Sequence, residues 1–163
     1  VIVRDARPDE LTGIGDLRVS AYRADGFLPA TSRYTATLRA LGAAGAGGTD
    51  EVLAAVDGGL VVGTVMLQHW PSGNVVRGPG EAEIRALAVA PNARGRGIGA
   101  ALVSAVIDRA GRRGVRHLLL LTEPGMRAAH HLYTRAGFGR LPDRDWSPEA
   151  GVSLLAYGLV LAP

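Results

Sequence analysis

The chain has 163 residues, the size of one ordinary domain able to bury a core without disulfides or a structural metal. It contains no cysteine, which excludes thiol nucleophiles, disulfides and thiolate metal sites, and its four histidines lack metal-ligand spacing, so no metal is expected. All 18 basic residues are Arg, and against 15 acidic residues the net charge is only +3, scattered rather than interleaved with aromatics, which disfavours a nucleic-acid platform and suits small anionic ligands.

Val1-Ile2-Val3-Arg4 reads as a first strand. Pro8 can open a helix whose buried side is Leu11, Ile14, Leu17 and Val19, weakened by Gly13 and Gly15. Residues 21–30 look like a loop, and Ser32 can cap a second helix running to about Leu41, broken by the Ala/Gly run 42–48. Val52-Leu53-Ala54-Ala55-Val56, the turn Asp57-Gly58-Gly59 and residues 60–70 form a β-hairpin. After a polar loop, 71–80, Ile84, Ala86 and Ala88 alternate with Arg85, Leu87 and Val89 along a strand that Pro91 ends. Leu102, Val103, Val106, Ile107 and Ala110 recur at helical spacing until Gly111 and Gly114, and an aliphatic strand follows over 115–121, implying a parallel pair with a crossover helix. A last helix over 126–136 ends at Gly137, and 138–141 with 152–161 supply two closing strands. No positively charged start leads into an apolar run, and no apolar stretch is long enough to cross a bilayer, so the expectation is a cytoplasmic protein with no membrane partner.

Arg94-Gly95-Arg96-Gly97-Ile98-Gly99 carries the chemistry. Glycines at a helix N-terminus let an anion approach unpaired N–H groups at the positive end of the dipole, and Arg94 and Arg96 can add charge-assisted bonds. Gly95, Gly97 and Ala100 also satisfy the dinucleotide pattern Gly-x-Gly-x-x-Gly/Ala, which leaves a dinucleotide-binding oxidoreductase as an alternative. Against it, the segment comes late in the chain, after a hairpin, and too little chain follows 121 for a second half-sheet. No Gly-Lys-Ser/Thr exists for a P-loop.

The segment resembles the cofactor motif of the GNAT superfamily of N-acetyltransferases, Gln/Arg-x-x-Gly-x-Gly/Ala, with Arg94, Gly97 and Gly99 matching it and Leu87, Val89 and Pro91 matching the pattern upstream. Leu132-Tyr133-Thr134-Arg135-Ala136-Gly137-Phe138 resembles the family's Leu-Tyr-x-x-x-Gly-Phe. The resemblance implies acetyl-CoA as cosubstrate, its pantetheine arm paired to backbone of Leu87, Ala88 and Val89 and its pyrophosphate on Arg94, Gly95, Arg96, Gly97, Ile98, Gly99 and Ala100. It implies Glu83, 11 residues before Arg94, as general base, with Glu81 as substitute, and Tyr133 as the acid that protonates the departing sulfur. Each has a plainer reading: Glu83 as an exposed charge at a strand start, Tyr133 as a core residue on a face with Ala129, Leu132 and Ala136. Where family members often carry an Asn that contacts pantetheine, this chain has Met126. Adjacent His130 and His131 receive no catalytic role. Tyr22, Phe27, Trp70 and Trp146 can line an acceptor pocket or pack, and Asp25, Asp143 and Asp145 can meet a cationic amine or stay solvated.

The expected fold is α+β, a three-layer α/β/α sandwich around a mixed, mostly antiparallel sheet of about seven strands in the order β-α-α-β-β-β-α-β-α-β-β, with 1–163 as a single domain. The expected function is acetyl transfer from acetyl-CoA to a primary amine, on a small molecule or peptide, by direct attack in a ternary complex. A nonenzymatic acyl-CoA sensor on the same fold is the alternative, and a homodimer is allowed for.

Overall fold

A computed structural model describes residues 1–27, 34–42 and 49–162. The elements are β1 (Ile2–Asp5), α1 (Leu11–Ala24), α2 (Tyr34–Ala40), β2 (Asp50–Asp57), β3 (Leu60–His69), β4 (Glu81–Val89), α3 (Ile98–Arg112), β5 (His117–Thr122), α4 (Arg127–Arg135), β6 (Gly139–Arg140) and β7 (Leu155–Val160). This is the expected order. One mixed sheet carries all seven strands in the order β1-β2-β3-β4-β5-β7-β6. β4 and β5 are parallel, while β1 with β2, β5 with β7, and β6 with β7 are antiparallel. Among the described residues no helix is long and apolar enough to cross a membrane.

The chain packs as two compact units, Val1–Met66 with Ala86–Ala105, and Leu67–Arg85 with Val106–Pro163. In the first, Ile14 of α1 packs on Ala54 and Val56 of β2, and Val19 meets Leu38 of α2 and Ala86 of β4. The glycines that weaken α1 locally have a tertiary reason at Gly15, where a Cβ would run into the Arg39 carbonyl of α2. α1 also runs longer than its apolar pattern, through residues 21–24 assigned above to a loop. Its end is a Schellman cap: Gly26 N–H donates to the Arg23 carbonyl and Phe27 N–H to the Tyr22 carbonyl. Ser32, the expected cap of α2, lies outside the described residues, as do 43–48. The hairpin of β2 and β3 turns at Gly58 and Gly59 as expected.

In the second unit, Val75 of the β3–β4 loop packs on Leu119 of β5 and Ala156 of β7. α4 ends in another Schellman cap, with Gly137 N–H donating to the Thr134 carbonyl and Phe138 N–H to the Tyr133 carbonyl. The Tyr133 and Phe138 rings meet edge to face, centroids 5.7 Å apart, supplying the apolar contact such a cap commonly has. The two closing strands are shorter than the apolar runs: β6 has two residues, and Trp146 and Leu154 add an isolated bridge.

Candidate active site

In the first unit, β4 delivers the chain into the glycine segment. Pro91 and its neighbours make a 3-10 turn, after which α3 begins at Ile98. Gly95 and Gly97 both adopt φ of +77°, a left-handed conformation costly for any residue with a Cβ. A Cβ at either would meet nothing within 4 Å, so conformation and ligand access, not packing, select glycine. The first intrahelical bond runs from Ala101 N–H to the Gly97 carbonyl, which leaves the amides of Ile98, Gly99 and Ala100 at the open end of a 15-residue helix. Such an open amide end with its helix dipole is an anion cradle that can hold a phosphate group.

The two arginines differ. Among the described residues Arg96 bonds to Asp57, at 2.7 Å, and both partners are about half exposed. The Arg94 fork spreads over Asp25 Oδ1 at 2.8 Å, the Val89 carbonyl at 3.1 Å and the Ala21 carbonyl at 3.4 Å. Asp25, weighed above as a greeter of cationic amines, is therefore occupied with Arg94. An open groove of about 740 Å³ lies between α1 and the β2–β3 turn, reaching residues 90–92. Asp9, Glu10 and Asp16 line it, an acidic surround that repels phosphate groups.

β4 carries a local irregularity. Its parallel register with β5 runs from Glu81 opposite His117 to Ile84 opposite Leu120, and β4 continues to Val89. Ala86, just beyond that register, has φ of +53°, the left-handed geometry of a bulge residue. Leu87 and Val89 are half-buried and Ala88 is buried.

In the second unit, Glu83 is buried, at 2% exposure, which removes the plainer reading of an exposed strand-start charge. Its Oε1 accepts from the Asn74 amide at 2.7 Å and the Val75 amide at 3.0 Å, and Oε2 lies 3.7 Å from Arg85 Nε. Gly73 permits this, since a Cβ there would come within 2.9 Å of Oε1. Burial raises the Glu83 carboxyl above its ordinary pKa, more than the amides and Arg85 lower it. Its raised pKa makes it a better proton acceptor than an ordinary carboxylate.

Glu81 is the opposite case. Arg144 grips both its oxygens, at 2.9 and 2.7 Å, and with the Arg77 amide and His117 holds its carboxyl down to about 2. It is too weak a base to substitute for Glu83. Tyr133 is buried on α4. Met126 stands at the N-cap of α4 without a side-chain cap bond. His130 donates to the Glu123 carbonyl at 3.0 Å and stacks at a tilt on Tyr157, which is a structural use of that ring.

The sequence profile of the Acetyltransferase (GNAT) family matches residues 18–138. The chain belongs to this family. An acetyltransferase of the GNAT family from Staphylococcus aureus superposes with a TM-score of 0.76 at 16% identity, over 99% of each chain. A GCN5-related N-acetyltransferase from Kribbella flavida superposes with a TM-score of 0.75 at 27% identity, over 98% of this chain and 97% of that one. A GNAT-family acetyltransferase from Brucella melitensis, solved in complex with acetyl-CoA, superposes with a TM-score of 0.65 at 24% identity, over 99% of this chain and 88% of its own. No curated protein matches the sequence. Family membership and the sheet order set aside the dinucleotide reading: the glycines follow the fourth strand of a mixed sheet, not the first of a doubly wound one.

Sequence reasoning missed the partners of the acidic groups. The amides of Asn74 and Val75 lie on a loop read only as polar, and Arg144 lies in the β6–β7 connection, 63 residues from Glu81. Glu123, in the β5–α4 turn, also has its carboxyl raised by burial, and nothing local in the sequence announces it.

Proposed function

We propose that the chain is an N-acetyltransferase, one domain over 1–163, that moves the acetyl group of acetyl-CoA to a primary amine by direct attack in a ternary complex. The observation that carries the reading is the cradle at residues 94–99, two left-handed glycines opening the free amide end of α3 directly after β4. The pyrophosphate of the cosubstrate sits on those amides with Arg96, and the pantetheine arm pairs with backbone of Leu87, Ala88 and Val89, beyond the β4–β5 register. The acetyl-CoA complex of the Brucella melitensis relative supports the choice of cosubstrate.

An amine attacks only when neutral, and the bond it forms leaves a proton to remove. Glu83 is the base, acting on the amine or on a water between them, through the oxygen its loop leaves unused. Tyr133 gives its phenolic proton to the departing thiolate, a sensible transfer between groups with ordinary pKa values of about 10 and about 8.5. The sheet backbone N–H near Leu87 stabilises the oxyanion formed at the carbonyl. With no cysteine to carry an acyl group, no covalent enzyme intermediate forms.

A second reading, an acyl-CoA sensor without activity, draws on Met126 in the position of the family Asn and on the engagement of Glu83 by its own loop. One assay separates the two. A panel of primary amines is incubated with acetyl-CoA and thiol release is followed for the wild type, Tyr133→Phe and Glu83→Gln. Amine-dependent release lost in both variants supports the enzyme. Acetyl-CoA binding without release with any amine supports the sensor.

A further inference from the structure

We infer that Asp25 is a positioning residue for the cofactor loop, acting through Arg94, and that Arg94 is a clamp on the fold rather than a ligand of the pyrophosphate. This rests on reading residues 94–99 as the pyrophosphate site.

An α-helix leaves its last four carbonyls without intrahelical donors. Here the Schellman cap serves Tyr22 and Arg23, and the Ala21 carbonyl is reached by Arg94 Nη2 at 3.4 Å. A guanidinium at this end also complements the helix dipole. The same side chain donates from Nε to the carbonyl of Val89, the last residue of β4, and from Nη1 to Asp25 at 2.8 Å. Three edges of one planar group are thus laid on the end of α1, the end of β4 and a carboxylate 69 residues away in sequence.

The rigid fork of Arg makes such a group directional: turning it toward a phosphate breaks all three contacts together. Arg96 carries no such commitment. Its bond to half-exposed Asp57 is exchangeable for a phosphate oxygen without disturbing a backbone carbonyl. Asp25 supplies the shortest of the three Arg94 contacts and the only one that balances its charge. Removing that carboxylate frees the fork and loosens the residue from which both glycines hang. The Arg at the head of the cofactor motif then acts through loop geometry, and Asp25 at the exit of α1 sets it.

The test compares wild type, Asp25→Asn, Arg94→Gln, the double variant and Arg96→Ala. Amide hydrogen exchange is measured first, on protein without ligand. The expected result is faster exchange at residues 95–99 and in the last turn of α1 for Asp25→Asn and Arg94→Gln alike, with no further increase in the double variant. Calorimetry with coenzyme A follows. Asp25→Asn and Arg94→Gln should each weaken binding about five-fold, the double variant no more than either, and Arg96→Ala should weaken binding as well. Raising salt should weaken binding to Arg94→Gln as steeply as to wild type and to Arg96→Ala less steeply, because only a phosphate contact is screened directly. Exchange in Asp25→Asn equal to wild type, or additive losses for Asp25 and Arg94, overturns the inference. If wild type fails to bind coenzyme A, the pyrophosphate reading falls, and the exchange data alone decide whether Asp25 fixes the loop through Arg94.

Discussion

Replacing Glu83 by Gln separates chemistry from architecture. Oε1 of Gln still accepts from the Asn74 and Val75 amides, and the charge-assisted part of those bonds, about 1 kcal/mol each, is lost. Against this loss, burial penalises the carboxylate more than its partners favour it, which is what its raised pKa expresses. The neutral isostere should therefore fold within about 1 kcal/mol of wild type at pH 7. Glu83→Ala leaves the buried Val75 N–H and the part-buried Asn74 N–H without their acceptor and should cost about 2–3 kcal/mol in urea unfolding. For activity, loss of a general base lowers kcat/KM by about 100-fold to 10,000-fold, and Gln should suffer as fully as Ala.

The pH behaviour follows from the same shift. A raised carboxyl pKa means that the native state holds the proton over the window from the ordinary 4.5 up to the raised value, so this group's contribution to stability falls as pH rises through that window. Activity runs the other way, with an acid limb of kcat/KM at the raised value. A Gln variant that folds like wild type and keeps kcat/KM within two-fold, with the acid limb intact, would show that Glu83 only fastens the loop, and would refute its role as base.

Tyr133→Phe keeps the ring that packs on Phe138, so stability should change by less than about 1 kcal/mol while kcat falls about 10-fold to 100-fold; unchanged kcat would leave Tyr133 a capping residue. Gly97→Ala places a Cβ in a left-handed conformation, at a cost of about 1 kcal/mol seen in thermal unfolding, and should weaken coenzyme A binding about ten-fold or more by calorimetry. Arg144→Ala releases Glu81, whose carboxyl is held at about 2 against an ordinary 4.5. This stabilisation, about 2 kcal/mol after allowance for solvent screening, is present above pH 4.5 and lost as pH falls toward 2. The stability gap between wild type and Arg144→Ala should close over that window in acid titrations, and a constant gap would assign the effect to packing.

Much of the fold is written in local pattern. The turn at Gly58 and Gly59, the alternation along β4 and the helical spacing of Leu102, Val106 and Ala110 each specify an element without help from the rest of the chain. The end of α1 is less legible, because its last turn is fixed by the Gly26 cap and by Arg94, far along the sequence. The left-handed residue Ala86 within β4 is equally silent, since alanine does not signal such a backbone. The site divides along the same line. Its glycines are visible because conformation demands them, whereas the environments of Glu81 and Glu83 arise from loops that fold back on them, and only the structure distinguishes the buried, more basic carboxyl from the one Arg144 neutralises.

The central claim is that residues 94–99 hold the pyrophosphate of acetyl-CoA. Calorimetric titration of the wild type with acetyl-CoA and, separately, with NAD tests it most directly. The expected result is saturable binding of acetyl-CoA with one site per chain and no heat of binding with NAD. Binding of NAD together with no binding of acetyl-CoA would contradict it.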